Sequence, residues 1–261
     1  MSERIQMLWV GPRLSAMERL ALTSFVENGH EVHLYTYGPV SGVPEGVAVM
    51  DGNEILPESM IFLYRDHKSY SGFSNYFRYK LLLDRGGCWA DTDLVALRPL
   101  DFGDDEYVFS SEPFRDTQTI NAGFIKAPAG SDAMRHAWET CMAKDRSQIR
   151  WGETGPALVR EAVERFGLER YVRSFEVFCP IGYPDVDRIL DADPPALPAT
   201  TMAVHLWNEM WRRRERDKDG EHDPRSLYEQ LKSRYGIRGA PASGRPVPPP
   251  SPAASAGGTL S

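Results

Sequence analysis

Short apolar runs alternate with stretches of helical periodicity along most of the chain. Ile5 to Val10 reads as a strand, and Leu14 to Asn28 as a helix with Leu20, Leu22 and Phe25 among its apolar positions and Gly29 as its stop. Glu31 to Tyr37 and Val47 to Met50 predict a second and a third strand. Gly72 to Arg85 predicts a helix ended by Gly86-Gly87, and Leu94 to Leu97 a strand stopped by Pro99. Tyr107 to Ser110 and Thr119 to Lys126 extend the strand series, with helices over Asp132 to Lys144 and Pro156 to Phe166. No internal repeat interrupts this order. Alternation of this kind predicts an α/β fold, a mostly parallel sheet flanked by helices, in which ligands gather at the carboxyl ends of the strands.

With 261 residues, 41% of them hydrophobic, the chain can bury one sizeable core. From Gly239 it runs "GAPASGRPVPPPSPAASAGGTLS", which has almost nothing to bury. The expectation is a single domain over residues 1–238 and a disordered tail over 239–261.

Charge removes some function classes. The formal net charge of -7 leaves no footprint for nucleic acid, and the densest basic run, "WRRRERDKDG", is interleaved with acids and reads as a solvated helix face. Cys88, Cys141 and Cys179 are odd in number and lack metal-ligand pairing, so a reducing compartment is expected. The apolar stretch near the start is too short for a signal sequence, and no window approaches a membrane span. A cytoplasmic location follows as the default.

The candidate chemistry lies in "GGCWADTDLVALRPL". In an extended segment, residues i and i+2 point to the same side with Cα atoms roughly 6.5 to 7 Å apart, so Asp91 and Asp93 could converge on one centre. Each would raise the other's pKa unless something positive sat between them. A hard cation, Mn2+ or Mg2+, resolves that conflict and leaves positions open for phosphate oxygens. On an acidic protein it would also bridge to an anionic substrate, most plausibly a diphosphate. A solvated turn is the ordinary alternative for Asp-x-Asp; here Trp89, two glycines and the apolar "LVAL" put the pair near the core.

The segment "FSNYFRYKLLLDRGGCWADTDLVALRPL" resembles the sugar-binding segment of the DXD-containing glycosyltransferases that group with yeast initiating mannosyltransferases and the vertebrate alpha-1,4-galactosyltransferase and alpha-1,4-N-acetylglucosaminyltransferase enzymes. "WGETGPALV", "FCPIGYP", "TMAVHLWNEMW" and "LYEQLKSRYG" resemble segments of the alpha-1,4-glycosyltransferases in the same order. The resemblance implies a GT-A type nucleotide-sugar-binding fold, a metal-bound nucleotide-sugar donor with UDP favoured, and transfer with retention to a glycan or lipid-linked hydroxyl. By that analogy Asp93 is the stronger candidate metal ligand and Asp91 touches ribose, donor sugar or metal, with the two roles exchangeable, and His205 of "VHLWN" completes the metal site, a structural strand histidine being its ordinary alternative. Trp207 and Asn208 would lie beside the diphosphate, donating from indole and amide groups.

Other positions follow from the same resemblance. Arg78 and Asn75 share a face of the predicted helix. Related retaining enzymes use the arginine of an "SDxxR" pattern to hold the donor sugar; Asn75 replaces its aspartate here and cannot supply a carboxylate's charge-assisted bonds. A surface ion pair with Asp84 or a neighbour is the plainer role for Arg78. Trp9 looks like the aromatic that packs on the nucleotide base, with a core position as the alternative. Asn121 and Gly123 of "TINAGFIKA" would meet the donor sugar or make a tight turn, and Thr154 would cap the helix opening at Pro156. Glu153 is a candidate polar group near the anomeric carbon rather than a nucleophile. The acceptor-specific loops are expected around Asp51 to Ser71 and Pro180 to Pro198, and docking at a membrane surface stays possible. Three other classes share parts of this pattern: a metal-dependent phosphatase, a nucleotidyltransferase, and a non-catalytic carbohydrate-binding scaffold.

Overall fold

Alternate residues of the first strand, β1 (Arg4–Leu8), face two different cores. Ile5 and Met7 join one face, whereas Leu8 joins the other, where the buried Gln6 amide donates to Gly86 O at 2.8 Å. This two-residue period is what a strand covered on both sides requires. The computed structural model describes residues 3–64 and 68–238. The predicted tail, 239–261, lies outside the described residues.

After β1 the chain forms α1 (Ala16–Glu27), β2 (Glu31–Thr36), β3 (Val47–Asp51), α2 (Ser71–Arg85), β4 (Gly87–Ala90) and β5 (Leu94–Ala96). It continues as β6 (Val108–Phe114), β7 (Thr117–Ala127), α3 (Asp132–Met142), α4 (Pro156–Arg165), α5 (Phe175–Phe178), β8 (Ala203–His205), α6 (Asn208–Arg213) and α7 (Leu227–Arg234). Six strands make the main sheet in the order β3-β2-β1-β4-β7-β6. The β3, β2, β1 and β4 neighbours run parallel, and β7 lies antiparallel to both β4 and β6. α2, α3 and α4 bring Phe77, Met134 and Val159 to the face that holds Leu8, Tyr35 and Trp89. α1 and α5 bring Phe25 and Phe178 to the opposite face, against Met7, Leu34 and Phe124. The expected α/β architecture, a mostly parallel sheet flanked by helices, is therefore present.

The differences from the sequence reading are local. α1 starts later than the hydrophobic pattern suggests because Ser15 caps it: its hydroxyl accepts from Met17 N–H at 3.2 Å while Glu18 accepts from Ser15 N–H at 2.8 Å. α2 stops where predicted. Gly86 takes φ 63°, and a Cβ there would lie 2.5 Å from Ala129 N, so neither conformation nor space admits another residue. The predicted strand at Leu94 does not join the main sheet. It pairs antiparallel with β8 in a separate ribbon, Leu94 opposite His205 and Ala96 opposite Ala203.

The three cysteines are buried thiols. Among the described residues, no helix is long and apolar enough to cross a membrane.

Candidate functional site

β1 leads on to β2 at one side and β4 lies at its other side, so a crevice opens beyond their carboxyl ends, the usual ligand position in such sheets. Trp9 follows β1 and Asp91 follows β4. The cleft above them has a volume of about 1030 Å³ and is lined by both, together with Arg78, Asp93, Glu112, Asn121, Gly123, His205, Trp207 and Asn208.

Asp91 and Asp93 do converge, by a turn rather than by an extended segment. Leu94 N–H donates to Asp91 O at 3.0 Å, closing a turn across Thr92 and Asp93. His205 reaches the same point because β8 pairs with β5 next door: Leu206 N–H donates to Asp93 O at 2.9 Å, and His205 Nε2 lies 3.1 Å from Asp93 Oδ1. One ligand atom each from Asp91, Asp93 and His205 lies within 4.8 Å of the others. Adjacent ligands at about 2.1 Å from an octahedral cation are themselves about 3 Å apart, so the donor set and its spacing fit Mn2+ or Mg2+.

Each ligand is oriented by its neighbours. Arg78 donates to Asp91 Oδ1 at 2.9 Å, as does the Trp89 indole at 2.9 Å, which leaves the other Asp91 oxygen for a cation. The same guanidinium donates to Ala122 O and to Ser74 Oγ, and stands 4.9 Å from the Trp89 ring centroid. Arg78 is therefore a buried clamp on Asp91; Asp84 pairs instead with Lys80. Asp93 Oδ2 accepts the Asn208 N–H at 2.7 Å. Trp207, just before it, has φ 59° and ψ 53°, a left-handed conformation uncommon outside glycine, which swings the chain from β8 into α6. Its ring packs on His205 with centroids 4.0 Å apart, and its indole N–H donates to Ile181 O at 2.8 Å. The indole N–H expected at a diphosphate is thus spent on the protein backbone.

Electrostatics follow from this crowding. Burial pushes the Asp91 carboxyl up against the pull of Arg78, and the Asp93 charge adds to the rise. For Asp93 the burial penalty is outweighed by His205 and the Asn208 N–H, which hold its carboxyl below the usual range. Burial would lower His205, but the charge and hydrogen bond of Asp93 hold it well above an ordinary histidine. In the absence of a cation, proton and carboxylate share that place.

Gly123 and Asn121 sit in a bulge of β7. Phe109 pairs with Ile125 and Ser111 with Ile120, so Ser110 alone faces Asn121 to Phe124. Gly123 O accepts the Asp91 N–H at 2.9 Å, and a Cβ on Gly123 would come 3.2 Å from His205 Cε1. The Asn121 side chain accepts from Ser110 Oγ and Gly123 N–H and donates to Cys179 Sγ at 3.1 Å. Asn75 donates to Thr154 Oγ1 at 3.3 Å on the cleft wall. Thr154 is buried and does not cap α4, whose N-cap is Gly155.

Trp9 and Glu153 complete the account of the predicted positions. Trp9 lines the cleft, and its buried indole N–H has no hydrogen-bond partner among the described residues. Glu153 lines an adjoining depression of about 540 Å³ that shares Trp151, Gly152 and Pro156 with the cleft. There it pairs with Lys144 at 2.6 Å and accepts the Arg150 N–H at 2.9 Å, and these bonds hold its carboxyl low. The cleft is bordered on that side by Trp151, Gly152 and Pro156.

Two sets of lining residues escape the sequence reading. Arg212, Arg213 and Arg216 are exposed, as a solvated face requires, and together with Lys218 they also line the cleft, with Arg213 4.6 Å from the Trp151 ring centroid. α6 ends at Arg213, and the loop after it carries the remaining charges past the mouth. Glu112 is the other. It lies beyond the end predicted for its strand, and an acid placed after a strand of this kind of sheet was the available signal. Burial pushes its carboxyl up, against His205 and the Asn121 amide. Both predicted acceptor loops contribute to the rim, through Lys68 to Ser71 and Tyr183.

No protein-family model and no curated protein matches the chain. Among solved structures it is similar to the PaToxG glycosyltransferase, 14% identical over 65% of this chain and 72% of that one, with a TM-score of 0.49. A cysteine-substituted transferase mutant is 11% identical over 64% of this chain and 86% of that one, with a TM-score of 0.44. The apo-form glycosyltransferase GlyE of Streptococcus pneumoniae is 14% identical over 67% of this chain and 46% of that one, with a TM-score of 0.37.

Proposed function

We propose that this chain is a metal-dependent glycosyltransferase that moves a sugar from a nucleotide-sugar donor to a hydroxyl of a glycan or glycolipid, with retention of configuration. The observation that carries this reading is the meeting of Asp91, Asp93 and His205 at one point of a large cleft at the carboxyl ends of β1 and β4. Two carboxylates and an imidazole suit Mn2+ or Mg2+, which when bound supplies charge to neutralise a leaving diphosphate. The preference for UDP comes from the resemblance, with Trp9 as the base-packing ring and its buried N–H as a donor awaiting an acceptor.

The protein's own groups have separable tasks. Arg78 and the Trp89 indole fix Asp91, and Asn208 N–H fixes Asp93. The backbone bulge at Asn121 to Gly123 gives a sugar a close approach, since its side chains are small or turned into the protein. Arg212, Arg213, Arg216 and Lys218 line the cleft wall paired with Glu209, Asp187 and Glu18, and their donor groups are available to an anionic donor that enters there. Front-face attack fits this arrangement: the acceptor oxygen bonds to the anomeric carbon as the bond to the diphosphate breaks, and the acceptor proton passes to the departing oxygen.

The test is nucleotide release from a panel of UDP- and GDP-sugars, with and without Mn2+, for wild type and Asp93→Ala. Metal-dependent release of one nucleoside diphosphate, abolished by the substitution, is the expected result. Inorganic phosphate from simple monoesters would instead make the site a phosphatase, and pyrophosphate from a nucleoside triphosphate a nucleotidyltransferase. Glycan binding without donor turnover would leave a carbohydrate-binding scaffold.

A further inference from the structure

Glu112 is a carboxylate of the cleft with no ion pair among the described residues. Asp91 holds Arg78, Asp93 holds His205, Glu209 holds Arg212 and Arg213, and Asp219 holds Arg13. Asp217 accepts the Asp219 N–H at 2.9 Å. Glu112 lines the same cleft, half-buried, and no ion pair to it occurs among the described residues. The Asn121 amide and the nearby His205 offset part of the cost of burying this charge, and a positive charge arriving in the cleft offsets more.

The sheet indicates where that charge would appear. Asp91 follows β4, and Glu112 lies on β6, with β7 between them. Glu112 is opposite Thr119 on β7, and Gly123 of the same strand accepts the Asp91 N–H. Asp91 and Glu112 are thus two strands apart across the sheet, and the Glu112 carboxylate lies close enough to the Asn121 amide and to His205 to feel both. The ground between them is the Asn121 to Gly123 bulge, where Ala122 and Gly123 leave little side chain to obstruct a ligand. A diphosphate anchored at Asp91, Asp93 and His205 with its sugar laid over this bulge brings the sugar ring to Glu112.

We infer that Glu112 contacts the donor sugar at its anomeric end and opposes the positive charge that develops there. This rests on the glycosyltransferase reading and names a catalytic residue within it. As the carbon–oxygen bond to the diphosphate breaks, its electron pair leaves with the phosphate oxygen, and positive charge spreads over the anomeric carbon and ring oxygen. The acceptor oxygen forms the new bond, and its proton goes to the departing phosphate. Glu112 stays an unchanged carboxylate throughout. Glu153 is held by Lys144 in the adjoining depression.

The experiment uses the full chain with Mn2+ and UDP-glucose, UDP-galactose, UDP-N-acetylglucosamine and GDP-mannose, following release of UDP or GDP. Glu112→Gln keeps the shape and removes the charge. Its kcat for the preferred donor should fall about 100-fold, the usual scale for one transition-state electrostatic group, with unchanged affinity for Mn2+ and for the nucleoside diphosphate. Glu112→Asp, which keeps the charge on a shorter arm, should recover part of the loss. Wild-type turnover with an equally active Glu112→Gln would overturn the assignment and leave the transferase reading standing. So would parallel loss of Mn2+ or nucleotide binding, the mark of a structural role, or a glycosyl adduct found on Glu112 by mass spectrometry. A wild type silent with every donor would remove both the reading and the assignment.

Discussion

His205 Nε2 lies 3.1 Å from Asp93 Oδ1, across 112 positions of chain, and the two-stranded ribbon of β5 and β8 brings them together. The contact is a hydrogen-bonded ion pair when His205 is protonated and a pair of ligands when a divalent cation displaces that proton. The two states exclude each other.

Metal binding should therefore release a proton. The folded pKa of His205 is held well above 6.5, so the Asp93 pairing stabilises the metal-free protein fully below that value and less as pH rises through the folded pKa. Mn2+ affinity should run the other way, strengthening about tenfold per pH unit until His205 has titrated. Calorimetry in two buffers of different ionisation enthalpy measures the proton count. Binding with no proton release and no pH dependence would remove His205 from the metal site.

Arg78 carries a second prediction. Its side chain is 4% exposed and that of Asp91 27% exposed, so Arg78→Met leaves a largely buried carboxylate without its cation. The loss should be about 3 kcal/mol of folding stability or more, read from denaturant unfolding, together with weaker Mn2+ binding. Arg78→Lys should restore only part of both, because one ammonium cannot serve Asp91, Ala122 O and Ser74 Oγ in the same geometry. A fully stable Arg78→Met with normal Mn2+ binding would contradict the clamp.

Gly123→Ala tests the packing of the histidine. The added Cβ would meet His205 Cε1 at 3.2 Å, so the ring must give by a small amount while the fold stays intact. The expected outcome is about a tenfold weaker Mn2+ affinity with little change in melting temperature, since ligand orientation and not the core is disturbed. Unchanged affinity would mean that the imidazole has freedom the structure does not suggest.

A pH effect of opposite sign belongs to His30. Its Nδ1 faces Glu3 O at 3.0 Å, and its Nε2 accepts the Leu100 N–H at 2.9 Å, which requires the neutral ring. Burial lowers its pKa, against the pull of Glu3. Its contribution to stability is complete above about pH 6.5, the unfolded value, and is lost as pH falls toward the lower folded one. His30→Gln should flatten the acid side of the stability profile measured by denaturant unfolding between pH 5 and 7, at some cost near neutrality. An unaltered slope would assign the acid sensitivity elsewhere.

Much of this frame is readable from residues alone, for local reasons. Gly86 must end α2, and the Asp-x-Asp after it must stand at a strand end, because helix stop and strand signal are neighbours in sequence. The role of Arg78 is not readable: sharing a helix face with Asn75 says nothing of the turn that brings Asp91 within 2.9 Å. β8 is three residues long, and its pairing with β5 leaves no periodic trace. Glu112 stays hidden because its strand runs on past Ser110 to Phe114, through a proline. The composition of the basic run shows the exposure of Arg212, Arg213 and Arg216 but not that the helix ends at Arg213 and the loop after it runs along the cleft.

The β5–β8 ribbon also orders events in time. Asp91 and Asp93 leave the ribosome long before His205, and nothing local can hold His205 beside them until β8 pairs with β5. A nascent or partly folded chain offers two carboxylates on a turn, a weak and unselective trap for cations. If Asp91, Asp93 and His205 hold a cation, selectivity arrives only when the late segment docks, and loading is coupled to completion of the fold.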